Sequence, residues 1–190
     1  MLTAAQTNRL FKDSGYSSYF YGSDFLNAQP PSIVPDEWDQ DFDKWNSEEV
    51  RRFLFDLHVA FLESLFDQNG YAVLYRAMDK HPKIRSGDVV NLGQFWTYSG
   101  DANLCDAQVS SGSNYKTGFA ALVHESQVDW PQTIADHTGR WDGEKQIFVK
   151  GPVEVVDVFP ISQWRTRTKS KSFVRWTNNK LSLRNLPARR

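Results

Sequence analysis

The stretch Trp141-Asp142-Gly143-Glu144-Lys145-Gln146-Ile147-Phe148-Val149-Lys150-Gly151-Pro152 decides how this chain is read. Its Asp-Gly pair predicts a turn, the alternating run a strand, and the Gly-Pro pair the strand's end. A period of two sends Glu144, Gln146 and Phe148 to one face and Lys145, Ile147 and Val149 to the other. Polar side chains on a strand otherwise suited to burial imply that their face looks into a cleft. The remaining segments are expected to build it.

Downstream, Val153-Glu154-Val155-Val156-Asp157-Val158-Phe159 reads as a strand with a mostly apolar face. Upstream, Phe119 to His124 is a strand candidate, and Val128 to Trp141 reads as a loop punctuated by Pro131 and Gly139. Gly87-Asp88-Val89-Val90 and Gln94-Phe95-Trp96-Thr97-Tyr98-Ser99 are two further strands around Gly93, and Ser110 to Asn114 is a flexible loop. Tyr71 to Ala77 is a strand apolar on both faces until Arg76, whose guanidinium must find an anion or reach water. Before it, Asn46 with Glu49 has capping-box spacing, and Glu48 and Glu49 suit the positive end of a helix dipole. Val50, Phe53, Leu54, Leu57, Phe61, Leu62, Leu65 and Phe66 then recur at three-and-four spacing as the buried stripe of one helix, ended by Asn69-Gly70. His58 lies beside that stripe as a packing residue. One helix followed by several short strands predicts an α+β domain, a strand-rich core with helices packed on one side.

Residues 1–46 show no clear period. Tyr16, Tyr19, Phe20, Tyr21, Phe25, Trp38, Phe42 and Trp45, with breaks at Pro30-Pro31 and Pro35, predict an irregular aromatic-rich arm with a short helix or two, packed on the domain. Hydrophobic content of 40% with 14% aromatic residues suffices for a core and excludes wholesale disorder. The opening residues lack the basic-then-apolar order of a signal peptide, and no apolar run approaches the ~18 residues that span a bilayer. A cytoplasmic protein without membrane contact is therefore expected. The single Cys105 excludes an internal disulfide framework and a four-cysteine metal site. His81, His124 and His137 are scattered, with no metal-ligand spacing, so no metal is expected. His124-Glu125-Ser126 invites a hydrolase reading, but the chain has no glycine-flanked nucleophile elbow and no phosphate-binding glycine loop.

Three features fall in chain order: an aromatic-Arg at a strand end (Tyr75-Arg76-Ala77), a Phe-x-hydroxyl segment (Phe95-Trp96-Thr97-Tyr98-Ser99), and a Glu-x-Gln entering a strand (Glu144-Lys145-Gln146). This order resembles the mono-ADP-ribosyltransferases of the arginine–serine–glutamate class, which include bacterial toxins and phage-encoded enzymes. Gly87-Asp88-Val89-Val90 also sits where the family often has a Gly-Asp strand. The resemblance covers roughly residues 47–160. It implies two packed antiparallel-type sheets around an NAD cleft, with an N-terminal helical segment. It also implies that Tyr75, Arg76, Ala77, Phe95, Thr97 and Ser99 hold NAD as substrate, and that Thr97, Glu144 and Gln146 form the catalytic set. Arg76 would grip the pyrophosphate with its planar fork, and Thr97 would orient the side chain at 146. A Glu-x-Glu pair in the family goes with arginine as acceptor. The implied acceptor is thus a macromolecule, protein arginine before nucleic acid, with an antitoxin or host protein as a further partner.

This chain departs from the pattern twice. Thr97 holds the first hydroxyl position with Tyr98 in the middle, and Gln146 stands where the family has its catalytic glutamate. Cleaving nicotinamide from ribose builds positive charge on the sugar, which a carboxylate stabilises and an amide does not. Three accounts remain: a deliberate Glu-to-Gln replacement in an active enzyme, a degenerate relative that binds without turnover, or Glu144 as the working carboxylate. The intact remainder of the signature favours the first. The binding-only account implies an inhibitor or virion component.

Residues 161–190 hold nine basic residues and no acidic one, leaving 13 of the 22 basic residues and all 23 acidic ones to residues 1–160. Arg165, Arg167, Lys169 and Lys171 alternate with Thr or Ser, Arg175 follows, and Trp164, Phe173 and Trp176 are interleaved. An extended segment or edge strand is expected, either contacting nucleic acid through phosphates and stacked bases or neutralising the acidic domain it lies against.

Overall fold

The computed structural model describes residues 2–13, 48–79, 83–98, 115–137 and 145–168. Helix α1 spans Ala4–Asp13 and helix α2 Glu48–Glu63. Strands β1 (Tyr71–Met78), β2 (Val89–Val90), β3 (Phe95–Thr97) and β4 (Thr117–His124) follow. A 3₁₀ turn at Glu125–Gln127 leads to helix α3 (Trp130–His137), then β5 (Gln146–Phe148) and β6 (Val153–Pro160). A second 3₁₀ turn, Ile161–Gln163, runs into a helical turn α4, Trp164–Arg167. The predicted start of α2 at Asn46 or Ser47, the aromatic residues of the N-terminal arm and the Ser110–Asn114 loop lie outside the described residues.

All six strands join one sheet in the order β2-β6-β4-β1-β3-β5, and every pairing is antiparallel. The domain is thus α+β as expected, but the described residues form a single sheet instead of two packed ones. Its two parts meet at one pair. β1 runs with β4 along its whole length, whereas among the described residues it meets β3 at the single pair Tyr75↔Thr97.

The helices cover one face of this sheet. Leu10 and Phe11 of α1, Phe55, Val59, Phe61 and Leu62 of α2, and Ile134 of α3 pack with Leu74, Trp96, Phe119, Val123, Ile147 and Val155 in the main core. Phe55 and Phe61 are fully buried, each contributing about 1.5–3 kcal/mol through the area removed from water. Phe55 and Val59 lie outside the stripe read from the sequence, while Phe53 and Leu57 are only partly buried. The reason is α1, whose Phe11 ring meets Phe55 edge-on at 5.3 Å and buries a flank that periodicity alone assigns to solvent. His58 is buried, as a packing residue beside the stripe would be.

Two segments differ from expectation. Trp130–His137 is a helix, not a loop, because Pro131 sits in its first turn, where a missing N–H costs nothing. Asp129 starts it, accepting from Gln132 N through Oδ1 and from Thr133 N through its carbonyl. The beginning of the basic segment is a helical turn and not an extended strand. Trp164 is buried against Tyr75 and Phe159 at centroid distances of 6.3 and 6.0 Å, so it cannot stack on a base.

A bulge makes that docking possible. Between Ala120 and Ala121 the β4–β6 register shifts, with Ala121 facing Val155 and Ala120 facing Asp157. The extra residue, Val156, reverses the alternation of β6. Val153 and Val155 therefore enter the main core, whereas Phe159 joins Tyr75, Ala120 and Trp164 on the second face. Phe159 lies across Gly118, and a Cβ there would meet its ring at 2.3 Å. Gly118→Ala is expected to cost about 1–3 kcal/mol through this overlap. A lowered thermal midpoint by circular dichroism, with a change in the fluorescence of the Trp164 environment, checks it.

Candidate functional site

β1, β3 and β5 are consecutive neighbours, so the strand-end arginine, the hydroxyl segment and the Gln146 strand lie side by side. Thr97 is the register partner of Tyr75 on one side and of Gln146 on the other. Paired residues share a face, which places Tyr75, Thr97 and Gln146 in a line across the second face of the sheet. Phe95 and Phe148 pair on that face too, with rings 5.2 Å apart and edge-on. Phe95 is exposed and Phe148 buried, giving an open aromatic edge two residues from the Thr97–Gln146 pair.

Local backbone fixes the start of β5. Lys145 has φ of 49°, a left-handed conformation unusual outside glycine. Its carbonyl turns toward β3 and accepts from Thr97 Oγ1 at 3.2 Å and Tyr98 N at 3.4 Å. Strand alternation therefore begins at Gln146 and does not carry back through Lys145, so it does not fix the direction of Glu144. Glu144 and Ser99 lie outside the described residues, as do Lys169, Lys171 and Arg175. Thr97 is buried and Gln146 half-buried.

Arg76 takes the other side. Its β4 partner is Phe119 of the main core, whereas Tyr75 pairs with Ala120 of the second cluster. Ala77 joins that second cluster with Tyr75. The Arg76 side chain reaches under the beginning of β3, where Nη1 donates to the Phe95 carbonyl at 2.6 Å. Gly93, with φ of 89°, leaves room for it, since a Cβ there would meet Nη2 at 3.2 Å. The guanidinium borders an open hollow of about 460 Å³ lined by Asn91, Gly93, Gln94, Phe95, Lys150 and Gly151 among others. Neither Thr97 nor Gln146 lines it. The hollow sits at the Phe95↔Phe148 end of the β3–β5 ladder and the Thr97↔Gln146 pair at the other, about 7 Å apart by the rise of two residues.

Among the described residues, no carboxylate lines the hollow. Arg76 has no carboxylate partner among the described residues, and its Nε is buried without a hydrogen bond. Asp88 turns to its own loop, where Oδ2 accepts from Arg85 N. Desolvation by burial lowers the Arg76 pKa from its ordinary value, and Tyr115 opposes that shift. Lys150 on the same rim is paired to Asp129 at 2.8 Å. An anion in the hollow would give Arg76 the counter-charge it lacks. Among the described residues, no group of three or more His, Cys, Asp or Glu could hold a metal ion, and no helix is long and apolar enough to cross a membrane.

The sequence singled out these segments but not the bulge, the left-handed Lys145 or the Lys150–Gly151 side of the hollow. Only Gly151-Pro152 hinted at the last, as a strand end. No family model matches the chain, and neither a curated protein nor a solved structure matches it.

Among the described residues, the buried Arg76 Nε has no hydrogen-bond partner, which costs stability. Arg76→Met is expected to leave stability unchanged or raise it by about 1 kcal/mol, by removing a buried unsatisfied donor. The same variant should lose any rise in thermal midpoint that inorganic pyrophosphate gives the unaltered protein. Thermal melts with and without pyrophosphate check both halves.

Proposed function

We propose that this chain is an NAD-binding domain of the ADP-ribosyl-transferring kind, acting on a macromolecular acceptor, with protein arginine favoured. The observation that carries this is the strand order: the three segments that resemble the arginine–serine–glutamate signature, distant in sequence, are adjacent in the sheet and meet at Thr97. In this reading the pyrophosphate lies against Arg76, and the ligand passes over the edge of β3, where β1 and β3 have parted. The nicotinamide ribose then sits at Gln146, beside the exposed Phe95 ring. Tyr75 and Ala77 shape the second face, and Thr97 holds the register that aims the side chain at 146. Ser99 and Glu144 are assigned by resemblance alone, Glu144 to drawing a proton from an acceptor guanidinium.

Gln146 governs turnover. Its amide can hold a ribose hydroxyl, but it offers no negative charge to an oxocarbenium-like ribose, a loss of about 100-fold to 1,000-fold in rate. A second reading follows from the same residue. With an amide at 146, the domain is a binding module that recognises NAD or a protein partner by contact, as an inhibitor or virion component would.

Incubation with labelled NAD and a cell lysate, for the chain as it stands and for Gln146→Glu, separates these. Transfer of label by Gln146→Glu, at least 100-fold above the unaltered chain, supports ADP-ribosyl transfer. NAD binding by calorimetry, with no transfer by either form, supports the binding module. Absence of NAD binding by both forms overturns the proposal.

A further inference from the structure

The hollow beside Arg76 is roomier than a pair of phosphates needs, and both of its walls are tied down. At about 460 Å³ it falls within the size range of pockets that enclose a small organic ligand. One wall is the turn before β3, where Gly93 N donates to Asn91 Oδ1 and Trp96 Nε1 donates to the Gly93 carbonyl, both at 3.0 Å. The other wall is the turn after β5. There Lys150 N donates to the Gln127 carbonyl, and Gln127 Nε2 donates to the Pro152 carbonyl. Val149 N joins the two walls by donating to the Gln94 carbonyl at 2.9 Å. The hollow is thus preformed, as ligand sites usually are.

Its polar side chains are of two kinds. Arg76 and Lys150 are cations, Lys150 being paired with Asp129 at 2.8 Å. Asn91 and Gln94 are exposed carboxamides. The bond from Gly93 N turns Asn91 Oδ1 toward the backbone and leaves Nδ2 to donate outward. Gln94 offers a donor and an acceptor together, one residue from the Phe95 carbonyl that holds Arg76. A carboxamide makes a two-point contact with an adenine edge, accepting from its exocyclic amino group and donating to N7. Guanine shows two acceptors on that edge and satisfies the donor alone. Gly93 and Gly151 present bare backbone between these groups, which lets a flat ring come close.

We infer that the hollow takes an adenosine 5′-diphosphate group, with its phosphates on Arg76, its base read by Gln94, and Asn91 donating to a ribose oxygen. Two sources carry this group: a free adenine nucleotide, and the adenosine half of a dinucleotide. For the dinucleotide the inference rests on the NAD reading and assigns the half of NAD that Gln146 does not meet. For the free nucleotide it stands alone, since neither Thr97 nor Gln146 lines the hollow.

The test is calorimetry on the full chain with ADP, GDP, inorganic pyrophosphate and NAD. ADP is expected to bind at least about tenfold tighter than GDP, the discrimination one two-point base contact gives, and tighter than pyrophosphate. Gln94→Met, at an exposed position, should bring ADP down to the affinity of GDP and leave pyrophosphate unchanged, with an unaltered thermal midpoint showing that the variant is folded. Arg76→Met should weaken all four. Competition separates the sources: displacement of ADP by NAD assigns the group to the dinucleotide, whereas ADP binding that NAD does not disturb supports a free-nucleotide site and counts against the NAD reading alone. NAD binding without ADP binding leaves that reading standing and overturns this inference. Equal binding of ADP and GDP, ADP no tighter than pyrophosphate, or a preference for adenine that survives Gln94→Met overturns it as well.

Discussion

The antiparallel pair Tyr75↔Thr97 holds the two parts of this sheet together. β2, β6, β4 and β1 make a continuous four-stranded unit, and β3 with β5 makes a narrow ladder whose described link to β1 is that pair. Both faces brace it. On the helical side Trp96 and Ile147 are fully buried in the core, and Trp96 Nε1 donates to the Gly93 carbonyl. On the other side Tyr75 is covered by Trp164. β5 is tied down at its outer edge as well, since Phe148 N donates to Thr133 Oγ1 and Asp129 N donates to the Phe148 carbonyl. Among the described residues this short ladder meets β1 at one register pair, and toward the start of β3 the Arg76 side chain, bonded to the Phe95 carbonyl, takes the place of further strand pairing. The hollow lies there.

Among the described residues the half-buried Arg76 has no carboxylate beside it, which makes the described lining of the hollow cationic. A guanidinium is never neutral in a protein, so lowering its pKa does not discharge it; it leaves a cation looking for an anion. The Phe95 carbonyl satisfies one donor and the buried Nε is left over. Its neighbours at the base of that face, Leu74 and Phe119, are apolar, whereas the hollow that its guanidinium borders also presents Asn91 and Gln94. Arg76 thus ties β1 to the start of β3 through the Phe95 carbonyl and presents the rest of its guanidinium to the hollow.

Much of this was legible from pattern. The α2 period, the strands from Tyr71, Val89, Phe95, Phe119, Gln146 and Val153, and the segments around 76, 97 and 146 all follow from alternation and turn residues. What escaped was non-local or one residue wide. The burial of Phe55 depends on α1, some forty residues away in the chain, and no window that short contains both. Pro131 was read as a break because proline ends helices more visibly than it starts them; Asp129, two residues before it, was the missed signal. The β6 bulge hides in a run of valines, where inserting Val156 changes which face each residue meets but not the composition. Which face Arg76 takes was equally hidden, since a pattern apolar on both sides of β1 gives no preference.

The bulge matters beyond β6. Had the alternation of Val153 and Val155 continued, Asp157 and Phe159 would point into the helical core, and an aspartate there would lack a partner among apolar side chains. The inserted residue instead turns Asp157 outward to meet Arg167 and swings Phe159 onto Gly118. Phe159 then forms, with Tyr75, the seat for Trp164. One extra residue thus sets two things together: where the start of the basic segment is fastened, and which face of the sheet it starts from. That face is the one shared by Thr97 and Gln146, so Trp164 fastens the start of the basic segment on the same side of the sheet as the candidate site.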